Sequence, residues 1–152
     1  MKRLTGVLLI LVMVFSLSAA LAQRAECYEG GFSVKLPDHF VENTGAYGAD
    51  VCFSWHGKKL NVLGYASYQG DVSGADLFQV LTGYETEYGQ VSINGMSMLY
   101  TRTEDGDDVI ISYTWMDRGN EVSLEFTYAA EDTSVENTVN SIIHSISFDV
   151  GN

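Results

Sequence analysis

The chain has 152 residues, with 20 acidic against 8 basic side chains, a formal net charge of −12 and a pI near 4.3. That length makes one domain rather than two, and the acidity excludes non-specific binding to nucleic acid or to an anionic membrane, since both need clustered Lys and Arg. Charged residues at 18% and hydrophobic ones at 46% describe a folded protein, not a disordered acidic tail.

Lys2 and Arg3 open the chain and an apolar run follows over 7–15. Ala20-Leu21-Ala22 then forms a small-x-small cleavage signature. The run sits at the short end of what spans a bilayer and lacks a basic stop-transfer flank, so residues 1–22 read as a cleavable signal peptide and not a stable membrane anchor. Glu26 stands where a lipoprotein signal requires a small residue ahead of Cys27. The expected mature protein is a single domain over 23–152, secreted or extracytoplasmic, in the cell envelope. Two cysteines in an oxidising compartment predict a Cys27–Cys52 disulfide, a closure worth about 3 kcal/mol in the chain-entropy model. The alternative is a buried free thiol at Cys52 within its strand. Neither a C-x-x-C pair nor histidines at zinc spacing are present.

Phe32–Leu36 alternates apolar and polar residues and stops at Pro37-Asp38, a half-buried strand ended by a turn. The stretch 41–50, with Asn43, Gly45 and Gly48, reads as loop. Alternation resumes over 51–56, and Gly57-Lys58 turns the chain into a further strand at Leu60–Tyr68. The period then changes. Leu77, Val80, Leu81, Tyr84 and Tyr88 fall on one face of a helix, with Ser73 and Asp76 as a capping pair and Gly89 closing the end. Three long strands follow over 91–103, 109–116 and 121–128, joined by Asp-Gly and Arg-Gly-Asn turns. Thr133 and Glu136 make a T-x-x-E capping box ahead of a second apolar stripe, Val135, Val139, Ile142, Ile143 and Ile146, and 145–148 leaves as a short extended tail. The expected fold is α+β, an antiparallel sheet of about six strands flanked by two helices.

Three stretches carry a family resemblance: Gly31-Phe32-Ser33-Val34-Lys35-Leu36-Pro37; Ile93-Asn94-Gly95 leading to Tyr100 and Asp105-Gly106; and Ser141-Ile142-Ile143-His144-Ser145-Ile146-Ser147-Phe148. Together they resemble the PsbP-like proteins, which share a fold with the Ran-binding Mog proteins. The resemblance implies an α-β-α sandwich and, for bacterial members, an exported envelope protein not known as an enzyme. No functional residue of either group maps onto a position here, so neither photosynthetic function nor Ran binding is carried over.

Candidate chemistry is sparse. Glu104, Asp105, Asp107 and Asp108 crowd one turn and offer oxygens to calcium, although the spacing is not D-x-D-x-D-G and a solvated hairpin turn accounts for the same residues. Asp117, Glu131 and Asp132 are candidates to join them. His39, His56 and His144 share no motif, and neither a G-x-S-x-G elbow nor a phosphate-binding Gly-Lys-Ser/Thr loop occurs. Apart from calcium no cofactor is implied. The aromatics Trp55, Tyr65, Tyr100, Tyr113 and Trp115, with Tyr128 beside them, are either core packing or a binding surface, because Tyr and Trp combine contact area with a polar handle. The sequence reads as an exported, non-enzymatic, acidic binding or accessory domain acting on a protein or other envelope or extracellular component. Alternatives are a calcium-responsive surface module, or a small hydrolase with His39 or His56 about 3 Å from a hydroxyl or carboxylate.

Overall fold

A computed structural model describes residues 23–43, 48–68, 70 and 87–150. Strands β1 (Gln23–Cys27) and β2 (Phe32–Leu36) form a two-stranded antiparallel hairpin. Strands β3 (Val41–Glu42), β4 (Val51–Trp55), β5 (Leu60–Tyr68), β6 (Glu87–Ile93), β7 (Met96–Asp105), β8 (Asp108–Asp117) and β9 (Asn120–Ala129) form a second sheet. Its order is β3-β4-β5-β9-β8-β7-β6, with every neighbouring pair antiparallel. One α-helix, α1 (Glu136–His144), follows among the described residues. The signal peptide expected over 1–22 and most of the first expected helix, including Leu77, Val80, Leu81 and Tyr84, lie outside the described residues.

Period-two burial explains the central strands. Val109, Ile111, Tyr113 and Trp115 of β8 and Val122, Leu124, Phe126 and Tyr128 of β9 are buried on one face. Against that face pack the β1–β2 hairpin, through Ala25, Cys27, Phe32, Val34 and Leu36, and the α1 stripe Val139, Ile142 and Ile143. Phe32 meets Trp115 edge-on at 5.2 Å, and Trp115 meets Phe148 at 5.8 Å. Close approach of hairpin to sheet depends on Gly64 of β5, where a β-carbon would stand 2.9 Å from Phe32 Cζ and 2.9 Å from Val51 Cβ. After α1 the chain runs back beside β2, with Ser33 and Ser147 exchanging backbone hydrogen bonds at 2.8 and 2.9 Å, as the expected extended tail requires.

Five expectations are corrected. The described residues hold one α-helix, not two, and the end of the first expected helix is extended: Tyr88 and Gly89 lie in β6. The stretch 91–103 is a hairpin rather than one strand, since Asn94 and Gly95 both take positive φ, +50° and +86°, which is the type I′ geometry that reverses a strand in two residues. β1 and the short β3 were not expected. Asp132, not Thr133, caps the final helical segment: Thr133–Val135 is a 3-10 turn and the Asp132 carboxylate accepts from the Ser134 amide at 3.2 Å. Finally, Cys27 and Cys52 are both buried free thiols. Cys27 lies in the core with Val51 and Phe53, whereas Cys52 shares the opposite face of β4 with Ser54, so the strand separates the two sulfurs.

Candidate functional site

Strands β7 and β8 are paired with Tyr100 directly opposite Tyr113 and Arg102 opposite Ile111. Those four side chains share the face that α1 covers, and the helix begins over them with Glu136, Val139 and Asn140. The seven residues line a cleft of about 240 Å3. The Tyr100 and Tyr113 rings meet at 5.5 Å with a 56° tilt, and Tyr113 stands edge-on to Phe126 at 6.2 Å. On the other side of Tyr100, across the ladder from it, is Gly89 of β6. Among the described residues nothing lies within 4 Å of where a side chain would begin there.

The polar groups of the cleft are arranged in order. Arg102 Nη1 forms an ion pair with Glu104 Oε1 at 2.7 Å. The Tyr128 hydroxyl donates to Glu136 Oε1 at 3.2 Å. Burial pushes the Tyr113 hydroxyl up to about 12, with the neighbouring phenols of Tyr100 and Tyr128 adding to it. Burial also raises Tyr100, helped by the carboxylate of Glu87, and raises Tyr128, helped by Glu136. All three phenols are therefore neutral donors at physiological pH. Arg102 is held further toward its charged form, chiefly by the hydrogen bond to Glu104. The result is an aromatic floor, a neutralised arginine on one rim, and on the other an exposed carboxylate and an exposed amide.

Of the aromatics singled out from sequence, the structure brings only Tyr100 and Tyr113 together at an opening. Trp115 is 2% exposed and belongs to the core. Trp55 is half-buried under His39, with ring centroids 3.9 Å apart, and under Phe40. Tyr65 lies on the opposite face of the sheet beside Glu125 and Ser123. Arg102, Glu136 and Asn140 had no signal in sequence, because they meet the tyrosines only through the packing of α1.

The acidic turn is differently organised. Glu104 is engaged by Arg102, and Asp105 and Asp108 pair across the start of the β7–β8 hairpin. Asp107 and Asp108 line a surface depression of about 410 Å3 with Glu131, but Lys59 lines it too. Asp132 pairs instead with Lys58 at 3.2 Å, and Asp117 with Arg118 at 3.2 Å. Among the described residues no group of three or more His, Cys, Asp or Glu side chains is placed to hold a metal ion. His39 stacks on aromatic rings, and neither it nor His56 hydrogen-bonds to a hydroxyl or carboxylate among the described residues. Among those residues, too, no helix is long and apolar enough to cross a membrane.

No protein-family model matches the sequence, and no curated protein does either. Solved structures do match in fold. The cyanobacterial PsbP protein CyanoP of Synechocystis aligns with a TM-score of 0.59 at 13% identity, over 86% of this chain and 94% of that one. The Ran-binding protein Mog1p of Saccharomyces cerevisiae aligns with a TM-score of 0.53 at 10% identity, over 86% and 97%. A Bacteroides thetaiotaomicron protein aligns with a TM-score of 0.56 at 13% identity, over 80% of this chain and 47% of its own. The fold described above is thus PsbP-like and Mog-like.

Proposed function

We propose that this chain is an exported, non-catalytic accessory domain that holds a protein partner in the cleft between α1 and strands β7 and β8. The observation that carries the reading is the cleft itself. Its floor is aromatic, its phenols are donors, and its rim presents an exposed carboxylate and amide. Tyrosines and arginine set in a depression are what the centre of a protein interface is made of. The strong acidity of the chain favours a partner with a basic surface. One of the proteins of like fold is described as Ran-binding, which agrees with a binding role for such a scaffold. Export rests on the basic start, the apolar run and the Ala20-Leu21-Ala22 triplet.

The test is capture of the tagged chain, expressed in its own host, beside an Asn140→Trp variant. Asn140 is exposed, so the indole fills the cleft without entering the core. A protein retained by the unaltered chain and lost by the variant supports the reading. Retention that the variant leaves unchanged places the binding surface elsewhere. Sequencing the N-terminus of the recovered protein checks export, with Gln23 expected at the start.

A further inference from the structure

We infer that the side chain this cleft receives is a single cationic one, a lysine or arginine projected by the partner, lying over Tyr100 and Tyr113 with Glu136 as its counter-charge. This rests on the accessory reading and adds the chemistry of the anchor to it. Size comes first: about 240 Å3 admits one long side chain, not a helix or a strand. The floor is next. Two tyrosine rings 5.5 Å apart and tilted by 56° line it, Tyr100 half-buried and Tyr113 deeper, and among the described residues nothing lies within 4 Å of a β-carbon position at Gly89, across the ladder from Tyr100. A cation over such a ring face is attracted by the ring quadrupole, the more so as it is desolvated.

Charge then selects the sign. Among the described residues Arg102 is the only basic one lining the cleft, and Glu104 answers it at 2.7 Å. Glu136 is not so answered: its partner is the neutral Tyr128 hydroxyl, and it forms no ion pair among the described residues. Glu87, which pairs across the ladder with Arg102, adds negative potential at Tyr100. The cleft therefore carries surplus negative charge over an aromatic floor, within a chain of net charge −12. An incoming anion meets Glu136 and Glu87 with Arg102 already taken; an incoming cation meets a carboxylate that holds a neutral hydroxyl and, among the described residues, no cation.

The probe is a blocked alanine pentapeptide carrying one central arginine. It is titrated against the full mature chain, with tyrosine ring resonances as readout. Shifts are expected at Tyr100 and Tyr113, with affinity at least about fivefold above that of the same peptide carrying neutral citrulline. Glu136→Gln is expected to remove that preference, because it keeps the shape and the acceptor for Tyr128 but not the charge. Tyr100→Phe is expected to retain it, because the ring face remains. Equal affinity for the citrulline peptide, tighter binding of a glutamate peptide, shifts caused by a neutral monosaccharide but not by the peptides, or no shift at millimolar arginine peptide would each overturn the inference. The accessory reading is judged separately. A partner lost by Asn140→Trp but retained by Glu136→Gln keeps that reading and removes the cationic anchor, and a partner that neither variant affects removes both.

Discussion

The hydroxyl of Tyr128, near the end of β9, donates to the carboxylate of Glu136, the first residue of α1, at 3.2 Å. The bond spans the turn between sheet and helix and fixes where α1 starts over the cleft. Tyr128→Phe is expected to lower stability by about 1 kcal/mol, read as the urea midpoint. Glu136 is exposed and regains water, so a loss well beyond that range would mean that Tyr128 has a further role in packing.

The free thiols give a prediction about alkali. Burial raises the Cys27 thiol from 9.0 to about 12 and the Tyr113 hydroxyl from 10.0 to about 12. The folded chain holds these protons after the unfolded chain has released them. Their contribution is therefore complete below pH 9 and is lost as pH climbs toward 12. Urea midpoints should fall across that window, and Cys27→Ala should lessen the fall in its first part, between 9 and 10, where the Cys52 thiol, also raised by burial, still contributes. Reducing agent should leave the midpoint at pH 7 unchanged, and a thiol reagent should label both cysteines only after unfolding. Labelling-resistant, reductant-sensitive protein would show that the two sulfurs are bonded after all.

Glu125 of β9 is half-buried, and burial raises its carboxyl above 4.5, opposed by a hydrogen bond from Ser112 at 3.4 Å. A raised carboxyl favours folding below its unfolded value, and that advantage disappears as pH rises through the folded value. Glu125→Gln is thus expected to stabilise the protein at pH 7 and to make no difference below pH 4. Thermal melts at the two pH values decide it.

Much of the architecture was legible as period and punctuation. β2, β4, β5, β8, β9 and the α1 stripe all follow from where apolar residues recur. β1 was missed because its inward residues are only Ala25 and Cys27, too small to stand out between Gln23, Arg24 and Glu26. The β6–β7 turn had a signal that went unread: apolar positions step by two from Val91 to Ile93, then by three to Met96, and that break of phase is the reversal at Asn94-Gly95. Spacing could not separate the thiols, because residues 51 to 54 are buried on both faces of β4 and both faces look alike in sequence. The cleft was half legible. Tyr100 and Tyr113 stand out as strand aromatics, whereas Arg102, Glu136 and Asn140 become neighbours only when α1 packs.

Asn94 does more than turn the chain. Its side-chain amide donates to the carbonyls of His144 at 3.3 Å and Ile146 at 2.8 Å, clasping the exit of α1 to the β6–β7 hairpin. Asn94→Ala is expected to cost about 1–2 kcal/mol, from the lost bonds and a left-handed φ that alanine resists. Asn94→Gly keeps the turn and should recover part of that loss. Equal destabilisation by both would assign the whole effect to the clasp.

Arg24 in the first described strand reaches Asp149 near the last described residue at 3.1 Å, just beyond the place where Ser33 and Ser147 join the tail to the hairpin. The described polypeptide accordingly closes on itself, with a residue of its first strand held to one beside its last. A few residues of flexible linker would join the two ends into a ring, and the ring could be cut at the exposed Gly106-Asp107 turn to give a permuted chain with the same sheet. A molecule wired in this way can be tethered by either end, or by both, and still offer the same face outward.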